Sequence, residues 1–478
     1  MAEAQNNKPI LNRKEWQTMT PIPAASGIGT IAVFDNTGQS NIAMILQSAA
    51  LQYLYHIDED AYIPIASGAF GGTWVAGVCG VFHPWSKNYT ATGGSTTTVT
   101  VSAASFNLNG FCRGAVIEFL TGTAANIGTR TTITEILTNA GQGTITLTLA
   151  DAVTSVANND TFRLNTGRFF IMSSGTLAAK CFQYYDLGTQ SWTDLAFATG
   201  GTTNGTDARL VVPYTRVDIF DTGTGTAASN TTTLVDTTKN WTSSQWVNYQ
   251  VRITAGTGKG QVRVITANDA TSLTIGAGTD LDETSVYAIE GDENAIYYLG
   301  NNAVTMYKYS ISGNSWATVS VTAARASAPI AGMTADWVGV TGDTGWANPN
   351  ACLNGRYIYS CRPTSGIIDR YDIAARAWLP TTGVTYLPNI VMANGVSSCW
   401  DGRYIYLQVA GTTAIPVRIY KYSVRGNYVE PFNDDWYLGG AAVAGNKMFI
   451  KKLSSAGTVK WLYYIGSTSA ILRRIMIY

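Results

Sequence analysis

The chain has 478 residues, with 31 Lys plus Arg against 31 Asp plus Glu and only 13% charged side chains. That length exceeds one small core and calls for several domains or a large repeat fold. The neutral balance argues against a general nucleic-acid surface, which needs clustered Lys and Arg to displace counterions. Glycine numbers 48, and Thr, Tyr, Val and Ile recur where a pleated, half-buried surface would use them, so an all-β class is expected.

The opening MAEAQNNKPILNRKEW holds no apolar run of signal-peptide length, so secretion by that route is not expected. The most apolar stretch, 42–55, is interrupted by Gln47, Ser48 and Gln52, and no membrane span is expected. It belongs instead to a four-strand meander, TIAVFDNTG, NIAMILQ, LQYLYHI and AYIPIAS. At the end of the third strand begins a hairpin, YHIDEDAY, that returns along the chain. The copies start at Tyr55, Tyr185 (YDLGTQSW), Tyr309 (YSISGNSW), Tyr371 (YDIAARAW) and Tyr422 (YSVRGNYV). Tyr62, Trp192, Trp316 and Trp378 close the first four, whereas in the fifth Tyr428 falls one residue early.

Apolar strands precede the later copies: GRFFIMSSG from Gly167, ENAIYYLGN from Glu293, GRYIYSCRP from Gly355 and GRYIYLQVA from Gly402. A further strand lies upstream, as in DWVGVTG from Asp336 and IVMANGVSSCW from Ile390. The unit is a four-strand meander with an uncovered face, and stacking such units radially buries those faces. The last unit reads WYLGGAAVAG, NKMFIKKL and VKWLYYIG, with Trp461 near the hairpin-Tyr position and no closing aromatic downstream. The N-terminus offers one: EWQTMTPIPA around Trp16 matches SWTDLAFA around Trp192, and is expected to pair beside ILRRIMIY. The expected fold is a six-bladed propeller closed by both chain ends, which removes exposed edges. Its hairpin aromatics are expected to pack between blades.

The Tyr–turn–Trp hairpin resembles kelch repeats over roughly residues 25–460, and the 62- and 51-residue spacings (309 to 371, 371 to 422) suit a kelch-like blade of about 50 residues. The Gly-Gly doublet of that family is replaced by SSG, LGN, SCR or LQV, so the resemblance is architectural.

Two intervals, Tyr55 to Tyr185 and Tyr185 to Tyr309, are more than twice a blade. Their surplus is two Thr/Gly-rich stretches that align with each other: Val116, Ile117, Glu118 and Phe119 answer Val251, Arg252 and Ile253, and a Gly-Thr turn follows in both. They read as duplicated β modules leaving the same rim of adjacent blades. The expected division is propeller at 1–86, first module at 87–166, propeller at 167–219, second module at 220–289 and propeller at 290–478. The second module resembles short β modules of tailed-phage structural proteins, over about 60 residues.

Familiar chemical signatures are weak. GTGKG at 256–260 lacks the Ser or Thr and the helix of a phosphate loop, so a hairpin turn is expected. His56 and His83, the two histidines, lack metal-ligand spacing. Asp58, Glu59 and Asp60 lack the alternating oxygen ligands of a calcium loop. No Asp-box of the sialidase kind occurs, and no nucleophile–base pair can be assembled. The six cysteines show no CxxC pair and are expected as thiols.

No catalytic residue, cofactor or metal ligand is therefore assigned. The phage resemblance implies a non-enzymatic virion component of tail, neck or baseplate, present in several copies, assembled in host cytoplasm, with other virion proteins as partners. The modules would be its contacts, with Phe106, Phe111, Trp241 and Trp246 as candidate anchors. The alternative is a glycan- or receptor-binding module of a phage appendage, with hairpin aromatics as sugar platforms.

Overall fold

The computed structural model describes residues 16–24, 30–35, 41–70, 74, 78–84, 86–104, 115–173, 180–196, 208–215, 218–300, 305–319, 321, 336–337, 355–361, 367–379, 397–409, 418–432, 447–452, 459–466 and 470–477. Among them the chain is all-β, its only helical element the single 3₁₀ turn Ala140–Gln142. Alternation of Thr, Tyr, Val and Ile dictates this: β-branched and aromatic side chains fill both faces of a pleated strand, and Gly, Asn and Asp make the turns.

Six four-stranded antiparallel sheets recur in chain order. The first runs Ile31–Val33, Ile42–Leu46, Gln52–His56 and Ala61–Pro64; the second Cys79–His83, Arg168–Met172, Phe182–Asp186 and Ser191–Asp194. The third is Arg209–Val211, Ala295–Leu299, Met306–Ser310 and Ser315–Thr318; the fourth Asp336–Trp337, Tyr357–Cys361, Ile368–Asp372 and Ala377–Trp378. The fifth is Ser397–Trp400, Tyr404–Val409, Arg418–Ser423 and Tyr428–Pro431. The sixth takes Lys447–Lys452, Lys460–Ile465 and Leu472–Ile477 from the C-terminal end and Gln17–Thr18 from the N-terminal end. Gln17 pairs with Arg474 and Thr18 with Arg473, so the sequence match around Trp16 marks a real outer strand. One expectation is corrected: Trp461 lies on the second strand of the sixth sheet, opposite Met476 on the third, because the third strand is Leu472–Ile477. WYLGGAAVAG lies outside the described residues.

Apolar clusters fill the seams between successive sheets. Tyr185 and Trp192 join Met44 and Leu54 across the first seam, and Tyr309 and Trp316 join Phe170 and Phe182 across the second. Tyr371 and Trp378 meet Tyr297 and Leu299, and Tyr422 meets Tyr359 and Cys361. Trp16 packs with Tyr464 and Tyr406 between sheets five and six, and Tyr55 and Tyr62 face Phe449 and Tyr463 between sheets six and one.

The repeat's turn chemistry ties the first three sheets to their predecessors. The residue five after the hairpin Tyr holds a left-handed conformation in every copy: Asp60, Gln190, Asn314, Arg376 and Asn427 have φ between 43° and 54°. Asp and Asn tolerate that region best. Where they stand, the Tyr hydroxyl donates to them, from Tyr55 to Asp60 at 2.6 Å, Tyr309 to Asn314 at 2.8 Å and Tyr422 to Asn427 at 3.0 Å. The same side chains accept a backbone N–H from the preceding sheet's outer end, Thr20 to Asp60 at 2.9 Å and Ala196 to Asn314 at 2.8 Å. The closing aromatic answers by donating to a carbonyl there: Tyr62 to Thr20 at 3.3 Å, Trp192 to Ala66 at 2.9 Å and Trp316 to Ala196 at 2.9 Å.

Two further sheets stand apart from this series. A seven-stranded sheet built from strands between Ser86 and Asn165 separates the first and second strands of the second sheet. A six-stranded one built from strands between Asp221 and Glu290 does the same in the third. They are copies of one design. Val116–Thr121 pairs with Thr161–Asn165 and shifts register between Phe119 and Thr121; Gln250–Ala255 pairs with Val286–Glu290 and shifts between Ile253 and Ala255. A second shift matches too, at Ile133/Glu135 and Ile265/Ala267. Such bulges bend a strand, and here they curl each sheet over its own apolar cluster.

Candidate functional site

The two modules dock on each other, and opposite charges at equivalent positions join them. The matching bulges place Glu118 where the second copy has Arg252. Glu118 Oε2 accepts from Arg130 Nε at 3.0 Å and Arg163 Nε at 2.9 Å, within the first module. Arg252 Nε donates to Glu290 Oε1 at 2.9 Å, within the second, while Gln250 Nε2 donates to Glu290 Oε2 at 3.2 Å. The bridge between modules is Arg130, whose Nη1 reaches Glu290 Oε1 at 3.0 Å. Arg163 Nη1 lies 3.5 Å from Glu293, in the segment that follows the second module.

The centre of this network is enclosed: both Glu118 and Glu290 are 0% exposed and Arg252 is 4% exposed. A buried carboxylate is tolerable only when paired and hydrogen-bonded. Burial alone raises the Glu118 carboxyl, but Arg130, Arg163 and Arg252 together outweigh it and hold the group below its usual range. The same carboxylates keep Arg130 charged despite its own burial.

The GTGKG segment is a turn between Gln250–Ala255 and Val262–Asn268, with Gly256, Gly258 and Gly260 all at positive φ. Its Lys259 Nζ donates to the Ala125 carbonyl of the first module at 3.2 Å, a second module–module contact. The second module also rests on the fourth sheet: Asn248 Nδ2 donates to the Ile373 carbonyl at 3.2 Å, and Ala374 of that hairpin turn joins the module's core. His83 Nε2 sits 2.7 Å from the Glu293 carbonyl, linking the strand that leads into the first module to the segment that follows the second.

Among the candidate contacts, Trp241 and Trp246 are corrected. Both are buried, at 7% and 3% exposure, in the second module's own core, and Trp241 Nε1 donates to Asp221 at 2.7 Å. They hold the module together instead of presenting a surface. Phe106 and Phe111 lie outside the described residues. Of the hairpin aromatics, Tyr55, Tyr185, Tyr309, Tyr371, Tyr422 and Trp378 are buried, and Tyr62, Trp192, Trp316 and Trp16 are half-buried in the seams. None of these ten rings is an open platform.

The first strands of five sheets line a cavity of about 160 Å³, among them Val33, Asp35, Gly80, Arg209, Ser398 and Lys447. That is below the roughly 300–1,000 Å³ of typical small-molecule sites. Among the described residues no group of three or more His, Cys, Asp or Glu is placed to hold a metal ion, and no helix is long and apolar enough to cross a membrane.

No family model matches the chain, and no curated protein does. Solved structures of β-propeller type resemble it at very low identity. A chain of a mitotic checkpoint complex aligns over 100% of this chain and 97% of its own, at 10% identity and a TM-score of 0.35. YCF48 bound to D1 peptide aligns over 99% and 100%, at 8% and 0.34. U3-55K aligns over 96% and 100%, at 7% and 0.34. None of the three reaches a TM-score of 0.5.

Proposed function

We propose that this protein is a non-enzymatic structural subunit: a six-bladed propeller, closed by its two chain ends, that serves as a rigid platform and presents the paired modules to neighbouring subunits. The observation that carries the reading is the buried Glu118–Arg130–Glu290–Arg252 network. It turns two small inserts into one body, and a body seated on the fourth sheet holds a fixed orientation. Fixed geometry is what a symmetric assembly needs, since many weak contacts gain avidity only when all engage together. Support for closure comes from the six seam clusters and the Gln17–Arg474 pairing.

The setting we propose is the particle of a tailed phage, in tail, neck or baseplate, with several copies present. Its support is the sequence likeness of the second module. The test is mass spectrometry of purified particles, followed by a double excision of 87–166 and 220–289 with short linkers joining the flanking strands. Both modules are removed because they bury charge against each other. A folded remainder that fails to enter particles is the expected result. Normal incorporation of the double excision, or hydrolase activity in the purified protein, would overturn the reading.

A further inference from the structure

The fifth hairpin breaks the repeat in one informative way. Six residues after the hairpin Tyr the other sheets carry small side chains, Ala61, Ser191, Ser315 and Ala377; the fifth carries Tyr428. Seven residues after it the others carry an aromatic, and the fifth carries Val429. Successive side chains of a strand point to opposite faces, so the ring has moved from the seam with the preceding sheet to the other face. Val429 takes the seam position against Tyr422, and Tyr428 stands 45% exposed.

Around it the same face gathers polar groups that the fold does not require there. The cross-strand row runs Tyr404, Ser423, Tyr428. The next row holds Lys421 opposite Glu430, paired at 2.7 Å. The Arg403 guanidinium lies 5.1 Å and the Lys421 ammonium 4.8 Å from the Tyr404 ring centroid. The Cδ1–Cε1 edge of Tyr428 lies against Gly426, where an added Cβ would collide with it.

We propose that this face of the fifth sheet is a glycan-binding subsite, with Tyr428 as stacking platform and Arg403, Lys421 and Glu430 as partners for ring hydroxyls. The C–H face of a pyranose packs on an aromatic ring, and its hydroxyls both donate and accept. An adjacent carboxylate and two cations therefore satisfy several at once. A protein partner would favour a desolvated aromatic anchor within a larger contact, whereas this ring stands over a charged rim. The inference is independent of the assembly role.

The test applies full-length protein to a printed array of neutral, amino-sugar and uronic-acid oligosaccharides, then titrates the best-retained oligosaccharide by calorimetry. Tyr428→Ser installs the residue found at the matching place in the second and third sheets, so folding is expected to be preserved. Expected are retention of at least one array glycan, a tenfold or greater loss of affinity in Tyr428→Ser at unchanged Tm, and a smaller loss in Glu430→Gln. Retention of no glycan, equal affinity in Tyr428→Ser, or a Tm fall in that variant as large as in Trp316→Ala would overturn the proposal.

Discussion

Replacing Arg130 by Met keeps most of the aliphatic stem and deletes the charge that bridges the modules. Arg130 is 13% exposed and contacts two carboxylates, Glu118 and Glu290, each at 3.0 Å. Stranding a buried charge outright costs roughly 3–5 kcal/mol. Neither carboxylate is stranded here, since Glu118 keeps Arg163 at 2.9 Å and Glu290 keeps Arg252 at 2.9 Å. The expected loss therefore falls below that range, at about 2 kcal/mol. A cycle with Glu290→Gln isolates the bridge itself, and contact across the interface predicts a coupling of about 1–2 kcal/mol. Denaturant unfolding followed by tryptophan emission suits the measurement, because Trp241 and Trp246 report from the second module's core. Additivity of the two substitutions within about 0.3 kcal/mol would show that the modules do not stabilise each other, and the reasoning would fail.

Acid should separate the modules. A carboxyl held below its unfolded value contributes stability that is complete above about pH 4.3, the ordinary Glu value, and is lost as pH falls through the folded value. Hydrogen-exchange protection factors at 116–121 and 250–255 are expected to stay flat from about pH 8 to 5 and to fall below about pH 4; protection that is unchanged at about pH 3 would refute the role of the Glu118 carboxylate. Arg376→Asn is expected to stabilise the fourth sheet by about 1 kcal/mol. Arg376 is exposed at φ 54°, and among the described residues the buried Tyr371 hydroxyl has no hydrogen-bond partner, whereas Asp60, Asn314 and Asn427 supply one at the same place. A lower Tm in this variant would contradict a stabilising role for the Tyr hydroxyl–turn hydrogen bond. Removing residues 1–24 strips Gln17–Thr18 from Leu472–Ile477 and Thr20 from Asp60. Aggregation by size-exclusion chromatography and a lower Tm are expected, and an unchanged profile would refute the role of the N-terminal strand.

The repeat was legible because its signal is local. A Tyr, a turn and a closing aromatic sit within eight residues, and the strand before them is uniformly apolar since it is buried on both faces. Trp16 was readable for the same reason. Trp461 misled because KWLYYI resembles a third strand in composition, and only pairing with Met476 identifies it as the second. The module network was hidden by its dispersion over the sequence. Glu118 and Arg252 each sit between apolar residues, as a charge on a solvated strand face would, yet both are buried in the folded chain. One clue was present: Glu118 and Arg252 carry opposite charges within an alignment otherwise matched in apolar character. Trp241 and Trp246 read as candidate anchors of the modules as units, yet the bulges curl the sheet far enough to enclose both indoles.

The joining of Gln17 to Arg474 fixes when this molecule can be finished. Their side chains meet at 3.0 Å across a separation of 457 residues. During synthesis each seam up to the fifth sheet can form soon after its second sheet leaves the ribosome. The seam holding Tyr55, Tyr62 and Phe449 must wait for Lys447–Lys452 and Lys460–Ile465. At roughly 5–20 residues per second that wait is on the order of 20–90 s, long enough for an open aromatic face to meet other nascent chains. Until then Thr20 lacks the sixth sheet that positions it against Asp60 and Tyr62, so the first sheet emerged is the last to be secured.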